Sequence, residues 1–326
     1  MTPPDAVLSA DIGGTAVGVG VVTASGEIRF ATEAPTRAGG PGTALETILD
    51  LLVRTQARAA AEGVTLAGCG IGVPGPVDLA TGQVGHDVQN LPELAGCPLG
   101  DLAAARTGLP TVVDNDVNAL TLGEARFGVA RGLRSFVLIA LGTGVGGGVY
   151  VNGDLVRGAS GYGGEVGHVS VHFEGRPCFC GSRGCLKAYV SGPDIAAQAR
   201  EAAAAHVGSP LAALALAGPD ALTARHVFEA AEARDALGCQ IVERVCQALG
   251  TALGGLMNGL NPEAIALTGG VAQSLEPHLD RIRHWARAYA FPGAYDAARL
   301  VIVRLTKTTA IRGAAALFLH EAARGR

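Results

Sequence analysis

Two periods alternate along the chain. Short, nearly continuous apolar runs are separated by longer stretches in which apolar positions recur every three or four residues. The runs AVLSADI, VGVGVVT, GCGIGV, TVVDND, FVLIAL, GGGVYV, EAIALTGG and LVIVRL predict strands, several of them apolar enough to be covered on both faces. Helical spacing falls over Thr43–Glu62, Asp194–Ala205, Asp220–Arg234 and Ala310–Ala323. The longest such stretch runs from about Arg234 to Gly259. It sets Leu237, Ile241, Val242, Val245, Leu249, Leu253 and Leu256 on one stripe, and Asn261-Pro262 stops it. Strands interleaved with helices predict an α/β fold.

Length changes this picture by dividing it: 326 residues exceed what one core usually organises, so two lobes are expected. Apolar residues make up 48 % and the net charge is −4, which gives no electrostatic footprint for nucleic acid or an anionic membrane. The stretch MTPPDAVLSADIGG has neither the basic nor the apolar region of a signal peptide. The longest uncharged run, Ser135 to Gly153, is broken by six glycines and reads as two strands and a turn rather than a membrane span. Seven cysteines, an odd number, fit a reducing cytoplasm without disulfides.

Candidate chemistry sits in three places. ADIGGTAVGVGVVTASG and ALGTGVGGGVYVNG share one plan, an apolar strand, a Gly/Thr-rich turn and a second strand, so two hairpins are expected to face each other across a cleft. In such turns glycine lets the backbone approach a ligand and successive N–H groups can cradle phosphate oxygens. Chance is the competing reading, because the 48 glycines are about twice the usual share of roughly 7 %. Neither turn fits the Walker pattern. In VVDNDVNALTLGEARFG, Asp114, Asn115 and Asp116 follow an apolar strand, where α/β proteins present reacting groups; an Asp there suits proton abstraction and an Asn suits orienting a substrate. The same residues also serve as a turn or helix cap. Finally, His168, Cys178, Cys180 and Cys185 supply one imidazole and three thiolates, the donor set of a closed tetrahedral zinc site, in a segment too polar and glycine-rich for a core. Glu165 lies three residues before His168, so a metal that fixes the histidine would also fix that carboxylate. The thiols are expected to pin a substrate-binding loop.

The segments DIGGT, GIGVPGPVD, DNDVNA, LGTGVGGGV, GEVGH, CFCGSRGCLKAYVSG and NPEAIALTGGVAQ occur in the order seen in ROK-family sugar kinases, the bacterial glucokinase-like branch of the actin/hexokinase superfamily, which the chain resembles over nearly its whole length. The resemblance implies two actin-like (ribonuclease H-like) lobes closing on ATP, Mg²⁺ and a sugar, with residues 1–118 in a small lobe completed by the helix 312–326 and residues 119–311 in a large lobe bearing a structural Zn²⁺ loop. It assigns Asp11 to the metal-phosphate end, Gly13, Gly14, Thr15, Thr143 and Gly144 to the phosphate turns, and Gly269 and Gly270 to the adenosine side. Asp116 becomes the general base. Gly75, Asn115, Glu165 and His168 hold sugar hydroxyls, His168 using its other ring nitrogen for zinc. Homodimers or homotetramers are implied.

Two positions depart from the family pattern. Ala16 stands where Lys is usual after DIGGT, removing a positive side chain near the phosphates. Lys187 stands in CLKA where Glu is usual, so a group with three donors and no acceptor replaces one that accepts from sugar hydroxyls. A kinase for the primary hydroxyl of a hexose or hexose-like ring is the leading expectation. Its alternative is a kinase for a carbasugar or C7-cyclitol, a keto-cyclitol of the valiolone or valienone kind, whose ring ketone would give Lys187 an acceptor. A non-catalytic sugar sensor is a third reading, against which the retained DND speaks. A repressor would need a DNA-binding head ahead of ADIGGT, so no nucleic-acid partner is expected. The acceptor's ring and the use of polyphosphate in place of ATP stay open.

Overall fold

A computed structural model describes residues 6–218 and 221–325. The chain divides into two compact units: one holds the residues up to Leu133, Leu155–Gly163 and Leu305–Arg326, the other Arg134–Asp154 and Gly164–Arg304.

The first unit is built on a five-stranded sheet in the order Ile28–Pro35, Ala16–Thr23, Ala6–Ile12, Leu66–Val73, Thr111–Asn115. The first three strands are antiparallel neighbours and the last three run parallel. Ala6–Ile12 is buried at every position but Asp11, as its unbroken apolar run demands. The C-terminal helix Lys307–Ala322 covers one face, and glycines set how closely it sits. A Cβ on Gly70 would lie 1.9 Å from the Ala314 carbonyl oxygen, and one on Gly123 would lie 2.8 Å from the Gly313 Cα. The helix therefore packs against the sheet and against the helix Asp116–Phe127 at backbone distance.

The second unit repeats the plan, with strands in the order Asp154–Leu155, Val145–Val151, Phe136–Leu141, Ala264–Thr268, Arg299–Val303. Again a hairpin opens the sheet and two parallel strands follow. Hairpin first, parallel strands after, in each sheet: this is the actin-like, ribonuclease H-like α/β fold, and the internal echo in the sequence is a real duplication of topology. The helix Ala236–Leu260 buries Leu237, Ile241, Val242, Val245, Leu249 and Leu253 in the second core, with Leu256 half-buried at its rim. The Asp235 side chain caps its start by accepting from the Gly238 N–H at 3.0 Å, and left-handed Asn261 ends it.

Element bounds shift modestly from those the sequence suggests. Thr43 and Glu62 prove to be the caps of a helix over Ala44–Ala61, and the C-terminal helix starts at Lys307, capped by Thr306, rather than at Ala310. Of the stretch Asp220–Arg234, Asp220 lies outside the described residues and the helix covers Ala224–Glu232. No helix among the described residues is long and apolar enough to cross a membrane.

Candidate functional site

In the first unit, sheet register assembles a carboxylate pair. Asp11 pairs across the sheet with Gly72, and Gly72 with Asp114. A Cβ at position 72 would already stand 3.3 Å from that of Ala119 and 3.4 Å from the Asp116 Cα, which leaves no room for a larger side chain. The glycine thus lets the first turn of the helix Asp116–Phe127 lie close over the strand ends. Asn115 caps that turn: its Oδ1 accepts from the N–H groups of Val117 (2.9 Å) and Asn118 (3.3 Å), and its Nδ2 donates to the Gly75 carbonyl at 3.1 Å. Gly75 adopts φ +90°, a conformation that favours glycine. The cap reading of DND thus holds for Asn115, and the cap leaves Asp116 at the start of the helix.

Electrostatics single out Asp116. Burial, followed by repulsion from Asp11, pushes its carboxyl up to about 7, although the Val117 N–H donates to it at 2.9 Å. Asp11 is also raised, by burial, with Lys307 opposing the shift. Such a pair is disposed to share a proton or to receive a cation. The turn after Asp11 is tightly walled. The Gly13 N–H donates to the Ala16 carbonyl at 3.0 Å, the Thr36 hydroxyl donates to the Gly13 carbonyl at 2.7 Å, and a Cβ on Gly14 would stand 3.1 Å from that of Asn90. Arg37 Nη1 donates to the Gly14 carbonyl at 3.2 Å while pairing with Glu93 at 2.6 Å, so a guanidinium, not predicted from the sequence, stands at the turn where Ala16 lacks a cation. Thr15 follows in the same turn and is exposed.

In the second unit, two turns lie at the ends of adjacent parallel strands. Thr143 and Gly144 are exposed at the tip between Phe136–Leu141 and Val145–Val151. Gly269, at φ +96°, follows Ala264–Thr268 so closely that a Cβ would lie 2.4 Å from the Leu141 carbonyl oxygen; Gly270 then opens a short helix. Gly269 thus packs on the end of the strand that leads into the Thr143–Gly144 tip. Glu165 starts the turn Val166–His168, which rests on Val145–Val151 because Gly147 and Gly167 carry no side chains: a Cβ on either would come 2.2 Å from Val166 or the Val145 carbonyl oxygen.

His168, Cys178, Cys180 and Cys185 converge, their ligand atoms all within 4.8 Å of one another. Cys178 Sγ lies 3.6 Å from His168 Nδ1, and Cys180 Sγ 3.7 Å from Cys185 Sγ. Ligands about 2.3 Å from a central ion would stand about 3.8 Å apart at tetrahedral corners, so the donor set and its spacing fit zinc. Backbone bonds shape the knuckle: the Cys178 N–H donates to the Ser182 carbonyl at 2.9 Å, and Leu186 returns to the Val169 carbonyl at 2.9 Å. Phe179 meets the His168 ring edge-on at 5.2 Å and carries Lys187 Nζ over its face at 4.8 Å. Lys187 Nζ also donates to Asp194 Oδ2 at 3.0 Å, and Ser191 bonds the same carboxylate oxygen. Sequence reasoning did not foresee that pairing.

Nor did it assign roles to Asp114, Arg157 and Glu321, a buried ion triad in the first unit. Arg157 Nε donates to Asp114 Oδ2 at 2.7 Å and Nη2 to Glu321 Oε1 at 2.8 Å. The signal for Asp114 was its place in the DND run; positions 157 and 321 carry no local signature.

Comparison with known proteins gives the family. The ROK family model matches residues 7–321. A glucokinase of Halalkalibacterium halodurans is 38 % identical over 305 residues, covering 93 % of this chain and 92 % of the relative. The crystal structure of a ROK family glucokinase from Streptomyces griseus in complex with glucose and AMPPNP is 34 % identical, with a TM-score of 0.74 over 96 % of this chain and 98 % of that one. A xylose repressor of Caldicellulosiruptor bescii is 25 % identical over 277 residues, and this chain covers 68 % of its length. By sequence throughout and by fold, the chain belongs to the ROK family.

Proposed function

We propose that this ATP-dependent carbohydrate kinase phosphorylates the primary hydroxyl of a hexose or hexose-like ring, with Asp116 as the general base. The observation that carries the reading is the carboxyl of Asp116, capped in place at a strand end and poised at about 7, where it can hold and release a proton at ordinary pH. In its ionised form it takes the hydroxyl proton as the acceptor oxygen attacks the γ-phosphorus and ADP leaves. Asn115, whose amide has a second N–H beyond the one given to Gly75, orients the acceptor, as do Gly75, Glu165 and the Nε2 of His168.

The turns Gly13–Thr15 and Thr143–Gly144 hold phosphates and Gly269–Gly270 the adenosine side. Magnesium, when bound, supplies charge neutralisation at the phosphates, and Asp11, a desolvated oxygen donor, would hold it. Zinc, when bound by His168, Cys178, Cys180 and Cys185, ties the acceptor loop. The reading places the enzyme in the cytoplasm as a homodimer or homotetramer.

Lys187 favours a second reading, a keto-cyclitol acceptor. Its ammonium spends one N–H on Asp194 and has others to give to a carbonyl. The deciding assay follows ADP release with hexoses, amino sugars and keto-cyclitols side by side. Asp116→Asn should lower kcat on the best acceptor by roughly 10²- to 10⁴-fold; a kcat within about fivefold of wild type would remove Asp116 from the chemistry, whereas no ADP release by the wild type with any acceptor would favour the non-catalytic sensor.

A further inference from the structure

Arg157 is placed to do more than fill a surface. Its side chain is only 14 % exposed and lies between two carboxylates, Asp114 at 4 % and Glu321 at 1 %. Two acids so far from water would repel each other without it, and a single planar guanidinium bridges both. Each partner belongs to a different element. Asp114 is the penultimate residue of the strand Thr111–Asn115, which leads into Asp116, and Glu321 is in the last turn of the C-terminal helix, which packs at backbone distance on the helix Asp116–Phe127.

Asp114 in turn organises what surrounds Asp116. Its Oδ1 accepts from the Asn115 N–H at 2.7 Å and from Asn118 Nδ2 at 2.9 Å, while Arg157 occupies Oδ2. Asn115 is the cap that precedes Asp116, and Asn118 lies in the first helical turn after it. The loop carrying Arg157 is itself closed, since the Gly163 N–H donates to the Arg157 carbonyl at 2.8 Å. We propose that Arg157 is a positioning residue for the base: by holding Asp114 and Glu321 together it fixes the strand end and first helical turn that aim the Asp116 carboxylate. This rests on the reading of Asp116 as the base.

A double-mutant cycle on the full-length enzyme separates the two. Arg157→Met should lower kcat about 10- to 100-fold, the scale of a small misplacement of a reacting group, with KM for ATP and acceptor within about threefold of wild type. In an Asp116→Asn background the same substitution should change the residual kcat by less than about threefold, because there is no base left to misplace. Equal losses in both backgrounds, or no loss in the wild-type background, would overturn the positioning role. Full turnover of Asp116→Asn alone would instead overturn the base. Should Arg157→Met fail to fold, Arg157→Lys keeps a charge between the acids but cannot span both, and the same cycle applies to it.

Discussion

A carboxyl raised by desolvation weakens the fold that carries it, and Asp116 allows that cost to be measured. An unfolded chain releases the proton of an Asp near 3.8, whereas folded Asp116 holds it up to about 7. Between those values the folded state binds more protons than the unfolded state, so stability falls as pH rises through this window and levels off above about 7. The displacement of about three units corresponds to roughly 4 kcal/mol if undiminished. Asp116 is half-buried, and water at its exposed edge screens part of this, leaving about 2–4 kcal/mol. Asp116→Asn removes the charge but keeps an oxygen to accept from the Val117 N–H. The variant should match wild-type stability near pH 4 and exceed it increasingly up to pH 8, where the gain in Tm should be roughly 5–15 °C.

Activity should move the opposite way. The acid limb of kcat/KM for the wild type should fall near pH 7, since the protonated carboxyl cannot accept. The limb in kcat should lie lower, because a cation at Asp11 removes the repulsion that helps raise Asp116. Thermal melts of both proteins at pH 4 through 8, beside a pH–rate profile, test the two halves together. An Asp116→Asn protein no more stable than wild type at pH 8, or a wild-type kcat/KM limb below pH 5, would refute the claim that desolvation raises this carboxyl.

Two further outcomes follow from the second unit. Metal analysis should find about one zinc per chain, as a single four-ligand site requires, and Cys180→Ser should lower that content together with acceptor affinity; full zinc retention in a Cys178/Cys180/Cys185→Ser triple variant would show the ligands to be misassigned. Lys187→Glu alone would set a carboxylate against Asp194, so the informative variant is Lys187→Glu with Asp194→Asn. It should raise kcat/KM for glucose by roughly 5- to 150-fold, the worth of a buried unpaired polar group, and depress that for a keto-cyclitol. A wild-type kcat/KM for glucose above roughly 10⁴ M⁻¹s⁻¹, unchanged in the double variant, would leave Lys187 as a partner of Asp194 only.

Why the sequence discloses some of this and not the rest follows from the range of the forces involved. Ala6–Ile12 and Phe136–Leu141 coincide with their apolar runs, because a strand covered on both faces must be apolar at nearly every position. Ile28–Pro35 passed unnoticed: as an edge strand it buries only Phe30 and reads IRFATEAP, too polar to stand out. The helix Leu279–Tyr289 escaped for the same reason, with Ile282 and Ala286 alone buried among charges. The convergence of His168, Cys178, Cys180 and Cys185 was legible because three of them lie within eight residues of chain and the donor chemistry is narrow. Asp116 was legible as a candidate, but its tuning was not, since that depends on Gly72 leaving room for its helix and on Asp11, more than a hundred residues earlier in the chain. Arg157 is the extreme case. Its partners lie 43 and 164 residues away, and only the folded sheet and the returning C-terminal helix bring them to one guanidinium. The DND run and the Cys/His cluster left local signatures because their residues stand close together in the chain. A residue such as Arg157 need only be met in space, and substitution at such positions therefore tests the structure rather than the motif.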